Sequence, residues 1–371
     1  MPLLVHIVVA ARPNFMKAAP LHRELVARGW CRPVLVHTGQ HYDAGMSEVF
    51  FRDLGMPEPD HNLGVGSGSH AEQTAGVMVA YEKLCLGERP DWTVVVGDVN
   101  STMAATIAAK KLLIPVAHLE AGLRSFDRTM PEEINRLVTD ALADLLWTPS
   151  PDADANLRRE GVAPDKVVRV GNIMIDAFEL HRSRIEAAKI PDRLGVRPGG
   201  YAVVTLHRPS NVDGCEALAA IVETLRAVAR DLVVAFPLHP RTRKQLEAFG
   251  LLERLAADPR VVLAEPMGYV EFMSLVRGAA CAITDSGGVQ EETTYLGIPC
   301  LTLRTTTERP VTVSEGTNRL VTVADLPAQV KAVLAGEWPR GRKPEMWDGR
   351  TAGRVADSLA RFAGVRPMVS I

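Results

Sequence analysis

The chain has few cysteines, no excess charge of either sign and no long apolar run. Each shortage removes a class of protein. Five cysteines (Cys31, Cys85, Cys215, Cys281 and Cys300) are scattered through 371 residues, odd in number and without a CxxC pair. That usage argues against a disulfide framework or a structural zinc site and fits a reducing compartment, here the cytoplasm. The formal net charge is −2 and the pI about 6.6. Neither nucleic acid nor a membrane surface is therefore expected as a general partner, although one local basic pocket is compatible with such a balance. The opening segment, MPLLVHIVVAARPNF, has no basic lead and no small-residue cleavage site, and its apolar run is too short to cross a bilayer. It reads as a buried first strand. There is no short-period repeat and no low-complexity tract.

What is present is ordinary globular material, 47% hydrophobic and 23% charged, in a chain longer than the usual single domain. The expected fold class is α/β. In the first half, strand-like runs at residues 3–10, 34–37, 92–96, 115–119, 145–148 and 167–170 alternate with helical stretches at 16–27, 71–84, 101–111 and from Pro131 onward. Ser101 is the expected cap of one of these helices. The pattern restarts after a polar stretch at 190–200, with apolar runs at 201–206, 232–237, 261–264, 280–284 and 300–303. Alternating strands and helices imply right-handed βαβ units and mostly parallel sheets. Two such series imply two doubly wound, Rossmann-like αβα domains facing a cleft, taken as residues 1–172 and 173–371. The last helical segment, 351–362, is a candidate to pack back on the first domain. In open α/β sheets ligands gather at the carboxyl ends of strands, so residues that follow strands carry the functional reading.

Five clusters do so. Arg12 and Lys17 flank Pro13 between the first strand and the first helix, where a helix N-terminus and two cations would make an anion site; a solvated basic loop is the alternative. Asp98, Glu120 and Glu132 end strands or open a helix. Carboxylates crowded in a cleft separate into acid and base; a helix cap for Asp98 and a favourable first-turn charge for Glu132 are the competing explanations. His207, directly after a strand, could bind phosphate or move protons, or be a structural histidine. His239 leans toward structure or phosphate contact. Ser286-Gly287-Gly288 joins a strand to a helix and would admit a diphosphate, with Glu292 one turn on and suited to ribose hydroxyls; a sharp loop is the alternative. Arg309, set by Pro310 and flanked by threonines, suits a phosphate clamp, against a salt-bridged surface arginine.

In order along residues 3–362, these clusters resemble the non-hydrolysing UDP-N-acetylglucosamine 2-epimerase family. The resemblance rests on Arg12-Pro13 with Lys17, Gly39-Gln40-His41, Gly97-Asp98, Glu120-Ala121-Gly122-Leu123-Arg124, Pro131-Glu132-Glu133 with Asn135-Arg136, His207-Arg208, Asp285-Ser286-Gly287-Gly288 with Glu291-Glu292, and Thr307-Glu308-Arg309-Pro310. It implies the glycosyltransferase-B architecture, a UDP-sugar substrate, a homodimer, and no metal or other cofactor. It implies Asp98, Glu120, Glu132 and His207 as catalytic. It also implies that Arg12, Lys17, Arg136, Phe272, Ser286, Gly287, Gly288, Glu292 and Arg309 bind substrate, with Phe272 beside uracil. Gln40 and His41 match a regulatory position at which bacterial members bind a second, activating substrate molecule. Glu72 stands where those members carry an arginine, and a carboxylate cannot replace a guanidinium as a phosphate partner. His207-Arg208-Pro209-Ser210-Asn211 departs from the His-Arg-Arg-Glu-Asn of many members. The segments 41–43 and 67–70 are similar to a sister branch acting on UDP-2,3-diacetamido uronic acids. The implied reaction inverts carbon 2 of a UDP-N-acetylhexosamine, UDP-GlcNAc to UDP-ManNAc, by loss and re-addition of UDP. A UDP-sugar glycosyltransferase, a hydrolysing epimerase and a non-catalytic sensor are the competing readings.

Overall fold

The computed structural model describes residues 2–39 and 55–365, with Arg12 and Pro13 described at the backbone only. Two compact units emerge, one of residues up to Leu180 together with those from Glu345, the other His181–Pro344. The unit boundary thus lies within the helix Ile173–Ala188, a little beyond the expected division at 172/173, and the C-terminal segment belongs to the first unit.

Among its described residues unit 1 holds seven parallel strands, β1 (Leu3–Val9), β2 (Cys31–His37), β3 (His61–Asn62), β4 (Trp92–Val96), β5 (Val116–Leu119), β6 (Leu145–Thr148) and β7 (Val167–Arg169), in the order 3-2-1-4-5-6-7. β1 and β4 are buried throughout most of their length because helices cover both faces, which is why they read as continuous aliphatic runs. The strand order reverses at the β1/β4 junction, the position where such sheets bind ligands. Unit 2 repeats the arrangement with β8 (Tyr201–Thr205), β9 (Val233–Pro237), β10 (Val261–Ala264), β11 (Cys281–Thr284), β12 (Cys300–Thr302) and β13 (Asn318–Leu320), ordered 10-9-8-11-12-13, and reverses between β8 and β11.

The C-terminal helix, Thr351–Phe362, is fastened to unit 1 by specific polar contacts. Asp176 accepts the backbone N–H groups of Thr351 and Ala352 at 3.1 and 2.7 Å, taking two of the donors that a helix start leaves unmatched. The fully buried Trp147 donates its indole N–H to Ser358 Oγ at 3.0 Å.

The short strands β3 and β13 were not expected, since neither has an apolar run. The first helix begins at Arg12 rather than Met16. Ser101 is not a cap: its helix starts at Asn100, capped by the backbone of Val99, and the Ser101 hydroxyl instead pairs with Thr38 Oγ1 at 3.0 Å.

Candidate active site

In unit 1 the chain leaves β4 through Gly97, whose φ of +69° is a left-handed conformation that favours glycine. A β-carbon there would also come within 3.3 Å of Asn14 Nδ2 and Lys17 Nζ and 3.5 Å of Glu120 Oε2. Gly97 is therefore the floor on which these three groups meet. Asn14 is fixed by donating to the Val96 carbonyl at 2.8 Å while accepting from Ala11 N–H at 3.2 Å. Lys17 and Glu120 form a buried ion pair. Lys17, expected in an anion site, thus faces a carboxylate of its own chain. Glu120 adopts φ +75°, unusual for a residue with a side chain.

Asp98, the next residue after Gly97, is half-buried. Its Oδ2 accepts from Arg136 Nε at 3.1 Å and Nη2 at 2.5 Å, and its carbonyl accepts from Asn135 Nδ2 at 2.9 Å. It makes no helix cap, which removes that alternative for it. Arg136, expected as a substrate contact, is almost fully buried and also donates to Glu133 Oε2 at 2.8 Å. Glu133 in turn collects Ser125 N–H and Oγ–H at 3.0 Å each and Phe126 N–H at 2.9 Å. Glu132, in the first turn of helix Pro131–Leu142, is half-exposed, and among the described residues it has no hydrogen-bond partner. The helix that carries it is the one that grips Asp98. Asp98, Glu120 and Glu132 are thereby gathered at one end of one sheet.

In unit 2, β8 and β11 run side by side with Thr205 opposite Thr284. Asp285, fully buried just past β11, receives the backbone N–H groups of His207 at 3.1 Å and Arg208 at 2.9 Å, the Asn211 amide at 2.9 Å, and the His207 ring Nδ1 at 3.0 Å. Burial alone would raise its carboxyl, but the bond and charge of His207, with Asn211 and the Arg208 amide, hold it below the usual carboxylate range. His207 keeps an open side. The ring of His239 lies 5.4 Å away, and His239 caps its own helix by accepting Arg241 N–H at 3.2 Å.

Ser286 precedes the helix Gly287–Leu296 and makes no side-chain cap bond. A β-carbon on Gly287 would meet Arg309 Nη1 at 2.6 Å, whereas one on Gly288 would meet nothing within 4 Å. Gly287 is thus required by the arginine beneath it and Gly288 faces open space. Arg309 is buried and ion-paired with Glu291 at 2.8 Å and Glu308 at 2.5 Å, so the alternative of a salt-bridged arginine describes its setting, buried rather than at the surface. Phe272 is half-buried on the helix Tyr269–Arg277.

Glu292, one turn into the Gly287 helix, is buried, and its carboxyl is pushed up to about 8. Burial is the main cause and the charge of Glu291 adds to it, while the nearby Tyr269 hydroxyl works the other way. The folded protein therefore holds this proton more tightly than the unfolded chain does. Stability should fall as pH rises from about 4.5 toward about 8. Glu292→Gln, an uncharged isostere, should flatten that slope; melting temperature against pH for both proteins checks it, and parallel curves would discount the buried acid.

The side chain of Arg12 and residues Gln40 and His41 lie outside the described residues. Glu72 forms a capping box, accepting Ser69 N–H at 2.8 Å while its own N–H meets Ser69 Oγ at 3.2 Å. The Ser69 backbone N–H, and after it the Ser69 hydroxyl, hold the Glu72 carboxyl below the usual range. Among the described residues no group of three or more His, Cys, Asp and Glu is placed to hold a metal ion, and no helix is long and apolar enough to cross a membrane.

Three residue roles escape a reading by motif alone. Asp285 organises the His207 turn, Glu133 supports Arg136, and a fully buried His118–Asp140 pair lies under Gly97. Only Asp285, directly after a strand and before the glycines, carried a positional signal for its role.

Two doubly wound parallel sheets of this kind, one ending in acids and the other in a glycine loop that opens a helix, define a nucleotide-sugar enzyme of glycosyltransferase-B type. The family profile described as UDP-N-acetylglucosamine 2-epimerase matches residues 23–360, and the chain belongs to that family. The UDP-N-acetylglucosamine 2-epimerase of Methanocaldococcus jannaschii is 43% identical over 323 residues, 85% of this chain and 87% of that one. The UDP-2,3-diacetamido-2,3-dideoxy-D-glucuronate 2-epimerase of Pseudomonas aeruginosa is 38% identical over 359 residues, 96% and 99% of the two chains. The crystal structure of the M. jannaschii UDP-GlcNAc 2-epimerase in complex with UDP-GlcNAc and UDP matches with a TM-score of 0.87 at 39% identity, over 96% of this chain and 99% of that one.

Proposed function

We propose that this enzyme interconverts UDP-N-acetylglucosamine and UDP-N-acetylmannosamine by eliminating and re-adding UDP. The observation that carries the reading is the pairing of Asp98 and Glu120 at the ends of adjacent strands, each backed by a buried cation, with Glu132 on the helix that holds Asp98. The proton on carbon 2 of the sugar is too weakly acidic for simple removal. In the proposed sequence one carboxylate takes that proton as the carbon 1–oxygen bond to UDP breaks. A carbon 1–carbon 2 double bond forms, giving a 2-acetamidoglycal. A second group then returns a proton to the opposite face of carbon 2, and UDP re-forms its bond to carbon 1. Atoms and charge balance, with no net redox change.

Two acid–base groups suit removal and return on opposite faces. Positive groups suit the departing diphosphate: the amides of Ser286, Gly287 and Gly288 with the neighbouring His207 are the proposed contacts. Glu292 is assigned to the ribose and Phe272 to the uracil. Lys17, Arg136 and Arg309 are assigned indirect parts, holding Glu120, Asp98 and Gly287 in place. Gln40 and His41 are kept as regulatory candidates.

The test is turnover of UDP-GlcNAc in deuterium oxide without an acceptor. One deuterium should appear at carbon 2 of both epimers. Retention of the original hydrogen would point to oxidation and reduction at another ring carbon, and release of free UDP with N-acetylmannosamine would indicate a hydrolysing enzyme. The 38% identity to the diacetamido-glucuronate enzyme makes that sugar the comparison substrate, expected to turn over more slowly. A homodimer in the cytoplasm is the proposed setting. Five free cysteines, four of them buried, support the reducing compartment, and the dimer rests on family membership.

A further inference from the structure

His118 lies on β5, fully buried, two residues before Glu120. Its ring is held from both sides: Nε2 is 2.8 Å from the Gly97 carbonyl oxygen and Nδ1 is 2.6 Å from Asp140 Oδ1. A carbonyl has no hydrogen to give. Asp140 is itself surrounded by donors, since its Oδ2 takes Gly122 N–H at 3.0 Å and Arg124 Nη1 at 2.7 Å. Burial alone would raise the Asp140 carboxyl, but the charge and bond of His118, then Arg124 and the Gly122 amide, hold it below the usual range. Asp140 is therefore an ionised acceptor. A neutral imidazole offers one N–H and could serve only one of these two acceptors.

We propose that His118 is a positioning residue for epimerisation, a buried imidazolium whose second proton pins the Gly97 carbonyl and thereby fixes the carboxylate of Asp98. The proposal rests on the reading of Asp98 as a proton-transfer group. Gly97 is held by β5 at both of its polar groups, because its N–H also donates to the Leu119 carbonyl at 3.0 Å. With the left-handed turn at Gly97 locked, the backbone that carries Asp98 is held in place. Helix Pro131–Leu142 completes the hold: Arg136, which grips Asp98, and Asp140, which grips His118, are four residues apart and share one face. Arg124 also pairs with the exposed Glu160 at 2.6 Å, so His118 and Arg124 face the carboxylates of Asp140 and Glu160.

Nitrogen-15 spectra of the histidine-labelled enzyme at pH 8 test the protonation directly, with the His118 signals assigned by their loss in His118→Gln. Two N–H protons on one ring are expected, and a single-N–H tautomer would overturn the proposal. In His118→Gln, kcat per folded enzyme should fall by roughly 100-fold, as for an ångström-scale misplacement of a catalytic group, while KM and UDP affinity hold. Unchanged kcat would likewise overturn it. Asp140→Asn should convert the ring to one N–H and lower kcat in the same sense; a ring that keeps both protons in that variant would refute Asp140 as its counter-ion. If His118→Gln does not fold, Asp140→Asn supplies the assignment and the kinetic outcome. A wild-type enzyme inert toward UDP-GlcNAc and the diacetamido sugar would sink the functional reading instead, and the spectra would still decide the charge on His118.

Discussion

Asp98→Asn should lower epimerase turnover by about 10²–10⁴-fold, the range for loss of one positioned acid–base group, and leave UDP affinity unchanged. The argument is geometric. Asparagine keeps the size of the side chain and its acceptor oxygen can still meet Arg136, which remains anchored by Glu133. The fold should therefore survive. What is lost is the capacity to take or give a proton. UDP contacts assigned to unit 2 are untouched by a change in unit 1. Steady-state turnover, deuterium wash-in at carbon 2 and UDP titration, run on the same preparation, separate the outcomes. Parallel loss of turnover and UDP binding, with a lower melting temperature, would mean that Asp98 is a structural partner of Arg136 and nothing more.

Arg309→Ala should cost about 3–5 kcal/mol of stability, the range for breaking a buried ion pair by removing one member. The guanidinium is enclosed by Glu291 and Glu308. Truncation would leave a void beneath Gly287 and take from two buried carboxylates a cation that they share. Glu308 retains Arg304 at 2.7 Å, which keeps the estimate from the top of the range. UDP affinity should fall as well, through disorder of Ser286 and the first turn of the helix Gly287–Leu296. Urea unfolding followed by UDP titration of the folded fraction gives both numbers. Full stability with weakened UDP binding would restore Arg309 as a direct phosphate ligand.

The sequence signals that succeeded were those with a strong local cause. Aliphatic runs such as β1 and β4 read as strands because both faces are covered, and Gly97 and Ser286 read as strand ends because they punctuate such runs. Asp98 and Glu120 were singled out because residues at strand ends in doubly wound sheets face ligands, and the structure does place them just after β4 and β5. What stayed hidden depended on partners remote in the chain. Nothing near Lys17 announces that Glu120 will neutralise it, and nothing near Arg136 announces that Asp98 and Glu133 will enclose it, so both looked like cations available to an anion. β3 and β13 are too short and too polar to show a period. His118 sits inside an apolar run, where a histidine gives no hint of what its ring will meet.

The attachment of Thr351–Phe362 through Asp176 and Trp147 bears on how the chain comes to be assembled during synthesis. Unit 2 is one continuous stretch and has all its own strands once residue 344 has left the ribosome. Unit 1, although most of it is made earlier, waits for a helix translated after all of unit 2, with the Asp176 carboxylate and the Trp147 indole lacking these partners until then. The usual order, in which the domain nearer the N-terminus is finished first, is reversed, and the acids at the end of β4 and β5 belong to the half that is completed second.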